Sequence, residues 1–296
     1  MRSILPADLA VAELHQYLLG AVGPRPIAFV STIDVEGNVN LAPYSFFNIF
    51  SVNPPIAIFS PARRGRDNTT KHTYENAKQV AECVINIVNH DMVEQMSLTS
   101  TEYASGVNEF EKAGLTAVPS DLVGPPRVGE SYVQMECKIN QVIELGPNGG
   151  AGNLVVCEII KMHIREEVLN ADGKIDPMKM DQVARMGGHW YTRANAGLFQ
   201  LPQPTTKIAI GFDQLPKDVL NSSVLTGNEL AKLAGVEHLP DETSVNEYKL
   251  IELSEIFISL EDSPNELEKA LHQRAKECLA DNDIEGAWKS LLAFNN

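Results

Sequence analysis

Cysteine, basic charge and long apolar runs are all scarce in this chain of 296 residues, and each scarcity excludes a class of protein. The four cysteines lie far apart and form no Cys-x-x-Cys pair, which argues against a metal site or a redox motif. The formal net charge of −15 argues against binding to nucleic acid or to an anionic membrane. No apolar run approaches membrane-spanning length, and no secretory h-region opens the chain. We therefore expect a cytoplasmic, reduced, soluble protein without a metal.

Residues 23–76 form the most informative stretch of the sequence. Three apolar, β-rich runs cover residues 27–32, 39–44 and 55–60, and the polar turns between them predict antiparallel strands. Arginine, lysine, threonine and asparagine then cluster over residues 63–73. Because such charge-assisted donors hold anions, we predict an anion site at the end of a small sheet. The alternative is a solvated surface loop.

The segments that follow predict further strands and short helices. The glycine-rich joint at 146–152 connects strand-like residues 133–145 and 153–165, so it predicts a hairpin. A dinucleotide-binding loop would need a helix after its glycines. Residues 177–186 predict a short helix that runs into the sequence GGHWYTR. His163, on a predicted strand, is interpreted as a structural histidine rather than a catalyst.

The chain changes character near residues 200–204, which we interpret as a domain boundary. It separates a first domain, residues 1–204, from an acidic helical extension, residues 205–296. Within the extension, Ser263-Pro264-Asn265-Glu266 predicts a helix start with a capping box, and Asp283 is predicted to cap the last helix. We interpret the extension as an interaction or dimer-covering module without visible catalytic chemistry.

Ordered sequence blocks over about residues 20–195 resemble the flavin reductase-like proteins. The blocks, in the family's order, are GPRPIAFVST, GNVNLAPYSFFN, NPPIAIFS, KHTYEN, NEFEKAGLT, PPRVGES, MEC, DGKIDPMKM and RMGGHWY. The resemblance implies a mainly β fold, the FMN-binding split β-barrel, which is an antiparallel Greek-key barrel with short helices. It also implies a homodimer. The C-terminal α-helical extension lies outside the resemblance.

The resemblance further implies which residues contact FMN. The residues that match the ring and ribityl contacts are Ser45, Phe46, Phe47, Asn48 and Ser60. Lys71 and Thr73 match the Lys-Asp-Thr element that grips the phosphate, with His72 in place of the aspartate, and Arg63 or Arg66 are plausible supplements. Phe46 and Phe47 alternate faces on a strand, so one is expected in the core and one near the ring. The sequence leaves open which is which.

A second group of residues is expected to shape the pocket for whatever meets the flavin. Arg185 and Tyr191 match the family's Arg-x-Gly-Gly-x-x-Tyr stretch, whereas His189 and Trp190 are particular to this chain. The alternative is a packed dimer contact, because aromatic side chains are common at interfaces.

The function that the resemblance implies is FMN-dependent oxidoreduction. NADH or NADPH would reduce FMN by hydride transfer to N5, and electrons would pass to a small-molecule or protein acceptor, as in a flavin reductase or a flavoprotein oxygenase component. Flavin chemistry needs no protein nucleophile, so we predict no catalytic residue. One alternative is a non-catalytic FMN-binding electron carrier whose helical tail docks a partner. Another is a haem- or pyridoxamine-phosphate-binding relative on a similar barrel.

Overall fold

The computed structural model describes residues 1–201 and 208–294, and the chain divides into two compact units, Met1–Phe199 and Gln200–Asn296. The predicted boundary between residues 204 and 205 lies outside the described residues. Among the described helices, none combines the length and the apolarity that crossing a membrane requires.

The first unit is built on strands that pair in antiparallel fashion. The strands are β1 (Ala28–Ile33), β2 (Val39–Tyr44), β3 (Phe47–Val52), β4 (Pro55–Phe59), β5 (Glu82–Ile87), β6 (Ala117–Val118), β7 (Arg127–Val128), β8 (Val133–Glu144), β9 (Asn153–Ile164), β10 (Val183–Arg185) and β11 (Tyr191–Arg193). Seven of them form one sheet in the order β2-β1-β5-β8-β9-β4-β3, so β2 and β3 are its edges. The predicted hairpin at 146–152 is confirmed, because β8 and β9 pair directly.

The first unit also contains short helices. They are α1 (Val11–Ala21), α2 (His72–Gln79), α3 (Val93–Leu98), α4 (Glu109–Ala113) and α5 (Pro177–Met180). Of these, α2, α3 and α4 contact strands of the sheet. Single 3₁₀ turns occur at Pro6–Asp8, His90–Met92, Glu166–Val168 and Ala194–Gly197. Strand β1 is buried on both faces: Ala28 and Val30 belong to the core inside the barrel, and Phe29 packs with residues of α3 and α4. This alternation follows from the two-residue period of a strand.

The predicted helix over 177–186 is wrong beyond Met180. Asp181 has a left-handed φ of 43°, which ends the helix, and its carboxylate accepts two hydrogen bonds of 2.6 Å from Arg193. The chain then continues as β10, which pairs with β11. Tertiary hydrogen bonding to the sheet therefore prevails over the local helical pattern, since the Val183 N–H donates to the Val88 carbonyl at 3.3 Å.

Three thiols lie inside the barrel, on β5, β8 and β9. Cys83, Cys137 and Cys157 are each fully buried, and the Sγ atoms of Cys83 and Cys157 are 3.7 Å apart. All four cysteines of the chain are free, and Cys278 is buried in the second unit.

The second unit is helical in its described part. Its helices are α6 (Lys217–Leu220), α7 (Gly227–Ala234), α8 (Glu242–Glu252), α9 (Ser254–Ser259), α10 (Pro264–Ala280) and α11 (Ile284–Leu292), with a 3₁₀ turn at Phe212–Gln214. Trp288 is 1% exposed and donates its indole N–H to the Leu233 carbonyl at 3.1 Å. The predicted cap of α11 by Asp283 is confirmed by its 2.9 Å bond from the Gly286 N–H.

The predicted capping box at the start of α10 is wrong. The Ser263 side chain accepts no capping hydrogen bond, and the Glu266 N–H bonds instead to the Ser263 carbonyl oxygen at 3.0 Å. A capping box does form at α7, between Thr226 and Glu229.

Candidate functional site

A cavity of about 250 Å³ opens beside the edge strand β2, where several segments of the first unit meet. Its walls come from β2 and the turn after it, from the residues that follow β4, from the N-terminus of α2 and from residues 99–103 after α3. Asn40, Ala42 and Tyr44 line it from one face of β2, because alternate strand residues share a face. The basic segment and the first hairpin of the sheet therefore meet at a single cavity.

The basic loop after β4 is fixed by the glycine-rich loop between β8 and β9. The Arg63 N–H donates to the Ala151 carbonyl at 2.8 Å, and the Gly150 N–H donates back to the Arg63 carbonyl at 3.0 Å. A Cβ atom at Gly149 would lie 3.0 Å from the Arg64 carbonyl oxygen. Glycine permits this close approach of two backbones, so the hairpin joint supports the basic loop.

The three arginines of this loop differ in exposure and in most of their partners. Arg63 donates to the side-chain and backbone oxygens of Asn68, at 2.7 Å each. The Arg66 side chain is 68% exposed and pairs with Asp67 at 3.1 Å. The Arg64 side chain is only 16% exposed, and among the three it is the one in the described lining of the cavity. The arginine at the cavity wall is thus Arg64, whereas the sequence favoured its neighbours Arg63 and Arg66.

Lys71 lies at the cavity wall immediately before α2. In the described residues its ammonium group donates no hydrogen bond, and its ion-pair contact, with Oε1 of Glu102, is 3.8 Å long. Burial, followed by repulsion from Arg64, lowers the pKa of Lys71. An anion in the cavity would provide the missing acceptor, and the positive end of the α2 dipole would also favour it.

Thr73, in the first turn of α2, is 1% exposed and lines the same cavity. Its Oγ1 accepts hydrogen bonds from Asn40 Nδ2 and from the Tyr44 hydroxyl, both at 2.8 Å. A hydroxyl has two lone pairs and one proton, so these bonds leave the Thr73 proton for a further acceptor. Burial raises the pKa of Tyr44, which keeps the phenol a donor. Thr73 is therefore a preorganised hydrogen-bond donor at the cavity wall.

The predicted ring and ribityl residues separate into two sets. Ser45, Phe46 and Ser60 line the cavity. Phe47 packs against the barrel core, and Asn48 is exposed, with its side chain bonded to the adjacent Ile49 N–H at 2.8 Å. Of the two phenylalanines, Phe46 therefore faces the cavity and Phe47 the core. The Phe46 ring makes an edge contact with the His15 ring of α1, and the two ring centroids are 6.5 Å apart.

The residues predicted to meet the flavin's exposed face form the β10–β11 hairpin. The Arg185 guanidinium lies 4.7 Å from the centroid of the Tyr191 ring and donates to its hydroxyl at 2.9 Å. His189 and Trp190 are exposed at the tip of the hairpin. The described cavity lining contains none of these residues. The structure brings Arg185 and Tyr191 together and leaves His189 and Trp190 exposed, outside the described lining of the cavity.

The cavity suits the phosphate of a cofactor by its donor set. A cationic guanidinium from Arg64, an ammonium from Lys71 and a hydroxyl from Thr73 surround one volume, and among the described residues the last two donate no hydrogen bond. The carboxylate of Glu102 already lies there as an anion, with Oε1 at 3.1 Å from Arg64 Nε. These are the groups that bind a phosphomonoester by charge-assisted hydrogen bonds. The residues present therefore fit a flavin mononucleotide phosphate.

His163 belongs to a separate polar cluster on β8 and β9. Its Nε2 lies 2.6 Å from Oε1 of Glu136, whose side chain is fully buried. Glu136 also accepts bonds from the Asp121 and Leu122 N–H groups, at 2.9 and 2.6 Å. Asp121, Glu136 and His163 lie close enough to share a metal ion, but Lys161 already pairs with Asp121 and the amides already occupy Glu136. This arrangement agrees with a structural histidine.

Sequence reasoning missed the roles of Arg64, Tyr44, Asn40 and Glu102 at the cavity. The alternation of Asn40, Ala42 and Tyr44 on β2 is a signal that could have identified two of them. Glu102 lies far along the chain from the basic loop and carries no local signal. Glu109 is also a cavity residue; it is 5% exposed and accepts a 3.0 Å bond from the Leu41 N–H.

Comparison with known proteins gives consistent matches to the first unit. Residues 21–179 match the profile of the flavin reductase like domain. An uncharacterized protein of Halalkalibacterium halodurans is 36% identical over 202 residues, which cover 68% of this chain and 95% of that protein.

Two solved structures share the architecture. Nitrilotriacetate monooxygenase component B from Bacillus cereus has a TM-score of 0.64 and 31% identity, over 68% of this chain and 98% of that one. A protein of Shewanella frigidimarina described as a flavin reductase with a split barrel domain has a TM-score of 0.58 and 29% identity, over 67% of this chain and 96% of that one. The expected split-barrel fold is confirmed, and the helical extension lies outside the matched region.

Proposed function

The chain belongs to the flavin reductase-like family, and on that premise we propose that it binds FMN and oxidises NADH or NADPH. The observation that carries the proposal is the cavity beside β2, where Arg64, Lys71 and Thr73 converge on one volume. Flavin chemistry is a property of the family, whereas FMN rather than FAD, and the nicotinamide donor, are our proposals. The electron acceptor is proposed to be a small molecule or a protein partner.

The proposed binding mode assigns each wall of the cavity a part of FMN. Lys71, Arg64 and the Thr73 hydroxyl would hold the phosphate. Ser60, which is 8% exposed, would lie near the ribityl chain, and Ser45 would hydrogen-bond the polar edge of the ring. Phe46 would pack against the ring, since an isoalloxazine needs an apolar wall and a few positioned donors.

Bound FMN would supply the redox chemistry, accepting a hydride at N5 and giving up electrons one or two at a time. The chain's own share is to bind, to orient and to shield. The volume of about 250 Å³ lies below the roughly 300–1,000 Å³ typical of complete ligand pockets. It is sufficient for the phosphate end, so the ring is proposed to lie at the mouth, beside the 41% exposed Phe46.

A ring at the mouth needs a second wall, and we propose that a second copy of the chain provides it. The edge strand β3 exposes Ile49, Phe50 and Val52 next to Phe46. Exposed apolar residues on an unpaired edge favour an interface over a free surface. The hairpin residues Arg185, His189, Trp190 and Tyr191 are proposed to shape the pocket for the electron acceptor in that dimer. Light scattering of the purified protein measures its oligomeric state.

The phosphate assignment is tested with Lys71→Ala. Loss of a charge-assisted contact is worth about 1.5–3 kcal/mol, so the Kd for FMN should rise about 10- to 100-fold. Titration of the apoprotein by flavin fluorescence gives the Kd. Lys78→Ala is the matched control, because Lys78 lies on α2, the helix that begins directly after Lys71, and pairs with Glu144 at 3.1 Å outside the cavity lining. Equal affinity in wild type and Lys71→Ala would reject the assignment.

The oxidoreductase proposal is tested by the spectrum of the protein as purified and by anaerobic mixing with NADH or NADPH. A flavin spectrum whose visible band bleaches with one donor is expected. A flavin band that neither donor bleaches would leave the electron-carrier function instead, and a haem spectrum would reject FMN.

The cytoplasm remains the proposed location, supported by four free thiols, since disulfides are rare in reducing compartments.

A further inference from the structure

The segment after α3 inserts a carboxylate among the cations of the candidate phosphate site. Oε1 of Glu102 lies 3.1 Å from Arg64 Nε and 3.8 Å from Lys71 Nζ. Its other oxygen, Oε2, pairs with Arg66. Glu102, Arg64 and Lys71 all belong to the described lining of the cavity. An acidic side chain therefore occupies the position at which a phosphate would find its cations.

The cations around Glu102 either have other partners or lie beyond hydrogen-bond distance of its carboxylate. Arg66 also pairs with Asp67 at 3.1 Å, and Arg64 Nη1 donates to Thr69 Oγ1 at 3.0 Å. Lys71 is too far from Glu102 for a hydrogen bond. Glu102 thus contributes exposed ion pairs, which are individually weak, rather than the buried charge pair of a structural core.

The segment that carries Glu102 is held by local backbone hydrogen bonds. Within the described residues, the backbone hydrogen bonds of residues 100–106 are local, such as Thr101 N–H to the Leu98 carbonyl at 3.1 Å. Outside its own segment, residues 99–103 also touch Lys112, whose ammonium lies 5.7 Å from the centroid of the Tyr103 ring. Segments whose backbone hydrogen bonds are only local open at lower cost than the strands of a sheet.

We propose that Glu102 is an internal competitor for the phosphate subsite, which FMN must displace in order to bind. This inference rests on the proposed FMN function. Two anions cannot share Arg64 and Lys71 at close range without mutual repulsion, so the carboxylate moves away when phosphate enters. Glu102 thereby lowers the affinity for FMN and favours its exchange with free FMN. It is an affinity-determining residue and not a catalytic one.

The test is the affinity of Glu102→Gln for FMN, which keeps the size of the side chain and removes its charge. FMN must break the weak ion pairs of Glu102 with Arg64 and Arg66 in the wild type but not in the variant, so the Kd for FMN should fall roughly 2- to 30-fold in the variant. Riboflavin has the same ring and ribityl chain without phosphate, so its Kd should change less than about twofold. Glu111→Gln, an exposed residue on α4, is the matched control and should leave both values unchanged.

The outcomes separate this inference from the proposed function. If wild type binds no FMN, the proposed function itself fails. If wild type binds FMN, and Lys71→Ala weakens binding, an unchanged Kd in Glu102→Gln overturns the competition alone. Weaker FMN binding in Glu102→Gln also overturns it, because Glu102 would then be a residue that positions Arg64 and Lys71. An equal gain for riboflavin and FMN would place the effect away from the phosphate and would reject the proposal as well.

Discussion

The hydroxyl of Thr73 carries the sharpest stability prediction, because two buried donors depend on it. Thr73→Val keeps the shape of the side chain and removes the oxygen that accepts from Asn40 and from Tyr44, both at 2.8 Å. Each donor left unpaired in the interior costs about 1–3 kcal/mol. Cavity water can reach part of this network, so we expect a loss of about 2–4 kcal/mol in the free energy of unfolding of the first unit.

A second substitution distinguishes lost hydrogen bonds from altered packing. Tyr44→Phe in the Thr73→Val background removes one of the unpaired donors, so the double variant should be more stable than Thr73→Val alone. Coupling between contacting residues is typically 0.5–3 kcal/mol. If altered packing were the only effect, adding Tyr44→Phe would instead lower the stability of Thr73→Val further.

Native-state hydrogen exchange, read by mass spectrometry on peptides from β1 and β5, measures this loss for the first unit separately. Thr116→Val is the control, because Thr116 is exposed and surface changes usually stay within about 0.5 kcal/mol. A loss below about 1 kcal/mol in Thr73→Val, or no rescue by Tyr44→Phe, would refute the network.

Two further predictions concern the second unit and the effect of pH. Trp288→Ala should destabilise the helical unit by about 3–5 kcal/mol and leave the Kd for FMN unchanged. Trp190→Ala, at an exposed tryptophan, is the control for stability. Loss of FMN binding in Trp288→Ala would contradict the expectation that the first unit binds FMN without help from the second. For Glu136, burial would raise the pKa, but the Asp121 amide and His163 outweigh it and lower the pKa. Because the pKa of Glu136 is lowered in the folded state, its stabilising contribution is present above the unfolded pKa of about 4.5 and is lost as pH falls. Urea denaturation between pH 6 and 3 should therefore show a smaller loss of unfolding free energy in Glu136→Gln than in wild type. An equal loss in both proteins would contradict the lowered pKa.

The barrel was predictable because its signals are local and repeated. Strand alternation, turn residues and the ordered blocks identify β1, β2, β4, β8 and β9 closely. Residues 177–186 misled because their helical pattern is local, whereas the hydrogen bond from Val183 to Val88, just after β5, joins segments that are far apart in the sequence. Sequence patterns carry little information on such tertiary competition.

The candidate site was predictable to the level of a segment and not of a residue. Lys71 and Thr73, the predicted phosphate contacts, both line the cavity, but the three nearby arginines have equal charge in the sequence. Only the backbone of the loop decides that Arg63 turns to Asn68 and Arg64 to the cavity. Glu102 enters the site through the fold alone, because nothing in its neighbourhood indicates a basic partner.

The buried sulfur atoms of the barrel have a consequence for the protein's durability. Reduced flavin that meets oxygen releases hydrogen peroxide, which attacks thiolates far faster than thiols. The hydrogen bond with Cys83, together with burial, raises the pKa of Cys137 well above its ordinary value, so this thiol stays protonated. Cys83 and Cys157 are fully enclosed beside it. The three barrel thiols are thus sterically inaccessible, and their oxidation to sulfenic acid is suppressed.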